Sequence, residues 1–302
     1  MPKFFLIFLI TLLSFLQRCS KSNGAPNKQH RDFENAISTP LTPPENESLI
    51  SIETNFGTIK CRLYNETPKH RDNFVKLVEG GYYDSLLFHR VIKNFVIQGG
   101  DPDSKNAKKE VLLGDGGPGY NIPAEFSTEK HFHKKGALAA ARESDDINPN
   151  KESSGSQFYI VQGKIQDEGL LQKNERRINR SIMQKIVDSL LMLPKNSYLK
   201  NKILSIKNQE GNKDSLGYFQ RRIDSLAEPV YQKHKKYLIP ESHRAVYKKI
   251  GGTPHLDSHY TVFGEVYEGL DVLDKILESE TDINDRPKKD VRMKIRVIRK
   301  IN

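Results

Sequence analysis

The chain reads as a mainly β protein: a closed barrel of short antiparallel strands, its ends covered by two helices, interrupted by an α-helical insertion. Three observations predict this. Short alternating apolar runs bounded by Gly, Asn and Pro recur in both halves of the chain. Two amphipathic helical runs lie among them, as a barrel with covered ends requires. Residues 164 to about 250, in contrast, step by three and four instead of two. At 302 residues there is room for one medium domain with an addition, and 36% hydrophobic with 28% charged residues fits a globular protein diluted by polar segments.

The first strands come from LISIETNFGTIKCRLY, beginning at Leu49, which alternates around a turn at Asn55-Phe56-Gly57. TPKHRDNFVKLVEGGYY follows as a helix with Phe74, Leu77 and Val78 on one face and Gly80-Gly81 as its stop. FHRVIKNFVIQGGDP, Phe88 to Pro102, is a hairpin. A long loop with GDGGPGY at 114 to 120 leads to the buried strands GALAAA, 136 to 141, and SGSQFYIV, 154 to 161. Near the end TVFGEVYEG, GLDVLDKILES and VRMKIRVIRKI read as strand, helix and strand.

Within 164 to 250, Ile178, Ile182, Ile186 and Leu190 form one stripe that Pro194 ends. Leu216, Phe219, Ile223 and Leu226 form another, and a shorter helix opens at Pro240-Glu241 and closes at Gly251-Gly252. This segment holds 19 Lys and Arg against 9 Asp and Glu, so it carries the whole chain's formal net charge of +10. The rest is neutral. A solvated helical face is the plainest use of that charge; an acidic protein or anionic lipid are the partners it would suit.

At the start, Lys3 precedes the apolar run Phe4 to Leu16, too short for a bilayer span and matched to the core of an export signal. Leu16-Gln17-Arg18-Cys19 resembles the lipobox of bacterial lipoproteins, which implies a signal peptide over 1–19 and a lipid on Cys19; Arg18 departs from the small residue usual there. Residues 20 to 47 are polar and Pro-rich and read as a disordered tether. The expected location is therefore the cell envelope, lipid-anchored, extracytoplasmic and facing the periplasm, where nucleic acid is not an expected partner. Cys61 falls in a strand, so a bridge to Cys19 is not expected. No CxxC pair or Cys/His cluster supports a metal site, and no cofactor is expected.

One hairpin carries the chemistry. FHRVIKNFVIQGGDP sets Arg90 and Gln98 within runs of Phe, Val and Ile, and strands rarely bury an arginine without a use for it. A two-residue turn would put Arg90 and Gln98 on opposite faces; a three-residue turn, Lys93-Asn94-Phe95, sets them directly opposite each other on one face. The three-residue form is expected.

FHRVIKNFVIQGGDP resembles the signature of the cyclophilin-type peptidyl-prolyl cis–trans isomerases, and SGSQFYI and HLDSHYTVFGEV resemble that family's second and third blocks, in the same order. The likeness covers about 48 to 163 and 251 to 302, and leaves out the tether and the insert. It implies an eight-stranded barrel and an isomerase acting on Xaa-Pro bonds. Arg90 takes the place of the catalytic arginine, with Gln98 its polar partner. Phe95 and Val96 take two positions of the proline pocket, and Leu256 and Tyr260 its remaining wall. Ala141 and Arg142 fall on the edge that pairs with substrate backbone; Gln157 and Tyr159 match the second block. His255 stands where well-known members carry a Trp that contacts ciclosporin, which implies weak inhibition by that drug. Tyr260 replaces a frequent histidine and Arg142 an asparagine whose main contact is through backbone.

These residue types suit the reaction on physical grounds. An Xaa-Pro amide resists rotation by about 18–20 kcal/mol because nitrogen shares its lone pair with the carbonyl. At the twisted transition state the lone pair is localised and accepts a hydrogen bond, so a guanidinium aimed there binds the transition state in preference to either planar state. Arginine stays a donor at any working pH. The rival from another class is a non-catalytic barrel that holds Pro-containing segments as a chaperone or scaffold of an envelope complex. GDGGPG lacks the strand, helix and Lys-Ser/Thr context of a phosphate loop, His131 and His133 lack further metal ligands, and Asp101 with Asp103 lacks calcium-loop spacing.

Overall fold

Residues 43–207, 213–234 and 236–301 are described by a computed structural model; the apolar run Phe4 to Leu16, Cys19 and nearly all of residues 20 to 47 lie outside the described residues. The alternating runs become β1 (Ser48–Thr54) and β2 (Gly57–Leu63), joined by a tight turn that the Thr54 hydroxyl closes by donating to the Gly57 carbonyl at 2.8 Å. Helix α1 spans Pro68–Glu79, with proline at its start and Gly81 in a left-handed conformation just past its end. The hairpin follows as β3 (Arg90–Ile92) and β4 (Val96–Gly99).

Next come β5 (Asn121–Ile122), β6 (Ala137–Ala140), β7 (Ser153–Ser154) and β8 (Phe158–Val161). After the insert come β9 (Val262–Glu268), α6 (Leu270–Leu277) and β10 (Met293–Arg299), with α2 to α5 lying in the insert. Eight strands form one curled antiparallel sheet in the order β10-β1-β2-β9-β6-β8-β4-β3, and β5 and β7 pair separately.

The sheet is curled but its ladder is not continuous all the way round, so a closed barrel is more than the strand pairing supports. Its two end strands are β10 and β3. The gap is crossed by irregular backbone: Phe88 donates to Val291 at 2.9 Å, and Met293 donates to Leu86 at 2.8 Å. Both capping helices are present. Phe74, Val75 and Val78 of α1 and Leu273, Ile276 and Leu277 of α6 join the core that Ile97, Leu138, Phe158, Ile160 and Phe263 fill from inside the sheet.

Because side chains alternate, the same strands present a second apolar set on the other face. Val96, Ala137, Ala139, Tyr159, Val161 and Val262 form it, joined by Tyr64, Ala141 and Leu256. The small alanines of β6 leave this outer face shallow, which a docked peptide needs.

The insert holds α2 (Glu168–Met192), α3 (Ser197–Lys207), α4 (Lys213–Lys233) and α5 (Glu241–Ile250). Ile186, Val187, Leu199, Ile203, Ile223 and Ala227 are the buried residues of its core. Ile182, Leu190, Leu216 and Phe219 pack against them, but Leu226 points to solvent and Ala227 takes the buried position expected of it. The stripe of α4 keeps Leu216, Phe219 and Ile223 and ends one residue later than expected, at Ala227. The insert leaves and rejoins the sheet at one point, where Gly163 and Gly252 cross so closely that a Cβ on Gly163 would collide with the Gly252 backbone. Both adopt positive φ.

Candidate active site

β3 and β4 pair with Arg90 opposite Gln98 and Ile92 opposite Val96, so the turn is Lys93-Asn94-Phe95, the three-residue form. Asn94 supplies the left-handed residue such a turn needs, with φ 62°, and Phe95 donates back to the Ile92 carbonyl at 3.0 Å. Arg90, Gln98 and Val96 therefore share the outer face, and β8 brings Tyr159 opposite Gln98.

A directional hydrogen-bond chain orients the guanidinium. Gln157 Nε2 donates to the carbonyls of Gly114 and Gly116 at 2.6 and 2.8 Å. Two carbonyls accept only from its amide nitrogen, so its Oε1 must face Gln98, whose Nε2 donates to it at 3.1 Å. That turns Gln98 Oε1 toward Arg90, and Nη1 lies 3.4 Å away. The Gly-rich loop at 114 to 120 thus has a use its sequence did not disclose: it anchors the far end of this chain. Asp101 holds the loop in turn, accepting from the Gly114 N–H at 2.5 Å.

Arg90 has one further neighbour that sequence reasoning missed. Asp285 Oδ2 is 3.6 Å from its Nε, with both side chains about two-fifths exposed, 41% and 44%. An exposed pair at that distance contributes roughly 0–1 kcal/mol, so it steers the arginine without locking it. Asp285 is held there because its carbonyl accepts from the Val91 N–H at 2.8 Å. Nothing local signals an aspartate nearly two hundred residues away.

Beside Arg90 the outer face deepens into an apolar pocket. Its floor is Val96, Tyr159 and Leu256, all buried, and its rim is Phe95 and Tyr260, half-buried. His255 stacks on Phe95 with ring centres 5.9 Å apart and planes 13° off parallel. Burial and the nearby Arg177 hold the His255 pKa down to about 4, so it joins the rim as a neutral ring. Tyr260 meets Tyr159 edge to face at 5.9 Å.

On the other side of Gln98 a groove of about 770 Å³ runs between the Gly-rich loop and Arg142. At this edge two expectations shift. Ala141 already uses both backbone groups, donating to Gln157 and accepting from Ser154 at 3.0 and 2.8 Å. Arg142 is the residue whose backbone N–H and carbonyl have no backbone partner among the described residues, so the open edge is there and not at Ala141. Its side chain is also engaged. It donates to the His259 carbonyl and Asp145 at 2.7 and 2.6 Å, and the guanidinium lies 4.7 Å above the Tyr260 ring.

The pocket floor is tied from beneath to the insert. The Tyr159 hydroxyl is 2.9 Å from His133 Nε2; His133 Nδ1 is 2.9 Å from Asp257 Oδ1; Tyr247 of α5 donates to Asp257 Oδ2 at 2.7 Å. His133 is thus a buried residue of the loop before β6 that positions the Tyr159 ring. No group of three or more His, Cys, Asp or Glu that could hold a metal occurs among the described residues. Cys61 is buried in the core, and burial pushes its thiol up, which leaves it unreactive.

An outer-face apolar pocket, an open strand edge and a hydrogen-bonded guanidinium thus lie side by side on one face of the sheet. The family model for cyclophilin type peptidyl-prolyl cis-trans isomerase/CLD matches residues 49–187 and 245–297, and the chain belongs to this family of isomerases. It is 29% identical over 248 residues to a Staphylococcus haemolyticus protein named as a peptidyl-prolyl cis-trans isomerase, spanning 82% of this chain and 89% of that one. A Streptococcus pyogenes protein named as a bifunctional phosphatase/peptidyl-prolyl cis-trans isomerase is also 29% identical, over 80% of this chain but 37% of its own length. Among solved structures, a Cryptosporidium parvum cyclophilin type isomerase aligns over 84% of this chain and 99% of its own, with 20% identity and a TM-score of 0.49.

Proposed function

We propose that the chain accelerates rotation about Xaa-Pro bonds by presenting Arg90 to the prolyl nitrogen while the ring sits against Phe95, Val96, Tyr159, Leu256 and Tyr260. The observation that carries this is the Gly114/Gly116–Gln157–Gln98–Arg90 chain at the lip of the pocket. It fixes a permanent donor beside an apolar ring site before substrate arrives, so little reorganisation is needed at the transition state. The substrate backbone pairs at Arg142, and the acyl side swings toward the groove beyond Gln98. His255 closes the pocket with a smaller ring than Trp, which is the basis for expecting weak ciclosporin binding.

The clients are polypeptides of the envelope or the secreted set, where uncatalysed isomerisation takes tens to hundreds of seconds. That rests on the export-type run Phe4 to Leu16 and on Cys19 as the lipid anchor. Exchange NMR on a short Ala-Pro peptide tests the activity: cross-peaks between cis and trans resonances should appear with catalytic amounts of protein. Their absence, with the peptide still bound, would favour the holding role over catalysis. A mass increase of a diacylglyceryl group on Cys19 in membrane extracts tests the anchor, and an unmodified Cys19 there would remove it.

A further inference from the structure

Where α2 passes the proline pocket, it and the sheet enclose a cleft of about 710 Å³. Phe95 and His255 line it, so it opens from the same rim that bounds the pocket, on the side away from the Arg142 edge. Its other walls carry Lys164, Lys173, Arg176, Arg177 and Arg180, and no carboxylate lines it. All five are exposed, and none makes an ion pair or a side-chain hydrogen bond among the described residues. By contrast, Lys185, Arg244 and Lys248 elsewhere in the insert are each paired with a carboxylate.

The charges of α2 are sorted by face. Its acidic residues turn away from the cleft: Glu175 takes Arg244 at 2.6 Å and the Ile239 N–H at 2.9 Å, and Glu168 takes Lys248 at 2.8 Å as well as Arg244. Asp167 is spent on the Leu170 N–H as the helix cap. The carboxylates thus fasten α2 to α5, and the cations are left unneutralised over the cleft. The field they set up reaches the pocket rim, since Arg177 is the strongest charge acting on His255.

We propose that this cleft is a subsite for an acidic stretch of the substrate polypeptide flanking the proline, so that the insert makes the isomerase select Xaa-Pro bonds with Asp or Glu nearby. This deepens the isomerase reading and rests on it. A chain held in the pocket by its proline must leave past Phe95 and His255 at one end, and there it enters a concave cleft whose charged lining residues are all cations, with an apolar patch at Leu170. A concave site continuous with the peptide pocket suits a polypeptide; a lipid surface is flat and would meet the outermost charges only. Cationic sites without bound partners favour anions by steering as well as by contact, and the effect fades with salt.

The test uses the full chain and three peptides that share a central Ala-Pro: one neutral, one with Glu-Glu before it and one with Glu-Glu after it. The readout is the ratio of kcat/KM, acidic to neutral, by exchange NMR. One acidic peptide should exceed the neutral one by on the order of ten-fold at low salt. The ratio should collapse toward one in the Arg176→Gln/Arg177→Gln/Arg180→Gln variant, and in wild type at high salt, which needs no variant to fold. Equal handling of all three peptides by wild type, or a ratio that survives both salt and substitution, overturns the proposal. So do phosphatidylglycerol vesicles that bind wild type and not the variant while the peptides are handled equally. Failure of the isomerase reading is distinct: no exchange with any peptide, the charge ratio then being read from affinities in the same titrations.

Discussion

Tyr247→Phe removes one hydroxyl from the last helix of the insert, and its effect should reach the proline pocket. Tyr247 and Asp257 are both buried, and the hydroxyl is the partner of Asp257 Oδ2 at 2.7 Å, with no other among the described residues. The opposite oxygen, Oδ1, holds the His133 backbone N–H and Nδ1 at 3.0 and 2.9 Å. Hydrogen bonds to charged groups are worth about 1.5–3 kcal/mol, and leaving a buried carboxylate oxygen unpaired places the loss toward the middle of that range, about 2 kcal/mol. Urea unfolding followed by circular dichroism reads it directly. Tyr237→Phe is the control: its hydroxyl makes no hydrogen bond among the described residues, so its removal should cost less than about 0.5 kcal/mol. Because His133 also positions Tyr159, the peptide KM should rise while kcat changes less. If the two tyrosine variants unfold at the same urea concentration, the buried chain is not the strut described above.

Three further outcomes are expected. Gln157→Leu breaks the anchored end of the chain that orients Arg90; losing about 1 kcal/mol of orientation predicts a fall of roughly five-fold in kcat with KM nearly constant, and an equal rise in KM would contradict it. Burial holds the His89 pKa down to about 4 against an ordinary 6.5, so the unfolded chain takes the proton first and stability drops as pH falls from 6.5 toward 4. Between pH 7 and pH 5 this one ring should remove about 2 kcal/mol, and His89→Phe, measured the same way, should flatten the profile by that amount; a profile unchanged by the substitution would refute the assignment. Gly163→Ala, at φ 59° and against the Gly252 backbone, should destabilise the fold by at least about 1–3 kcal/mol, and a neutral effect would show that the stem of the insert is not closed as described.

What the sequence disclosed follows how local each feature is. The hairpin at 88 to 102 was legible because turn length alone decides whether Arg90 and Gln98 share a face, and the observed register is Arg90 opposite Gln98. The helices between 168 and 250 were legible from the change of period, and the charge of that stretch from composition. Contacts between distant segments were not. The role of His133 was hidden because Asp257, its partner, lies over a hundred residues along the chain and on the far side of the insert. Asp285 beside Arg90 was hidden for the same reason. Arg142 was read through its backbone, and its side chain over Tyr260 was missed because cation–aromatic contacts leave no periodicity. Alternation along each strand gave the two faces but not whether the two end strands meet, and the open ladder between β3 and β10 is a property of the whole sheet.

Arg90→Ala tests the central claim most directly. Removing a preorganised donor aimed at a transition state typically costs about 10²–10³ in kcat, and partial exposure of Arg90 places the expectation near the lower figure, about 10². Exchange NMR on an Ala-Pro peptide, at saturating and sub-saturating concentrations, should show that loss in kcat with KM changed less than about three-fold, since the ring's pocket is intact. Turnover equal to wild type in the folded variant would leave the pocket and the fold in place, and would contradict the arginine as the donor to the prolyl nitrogen.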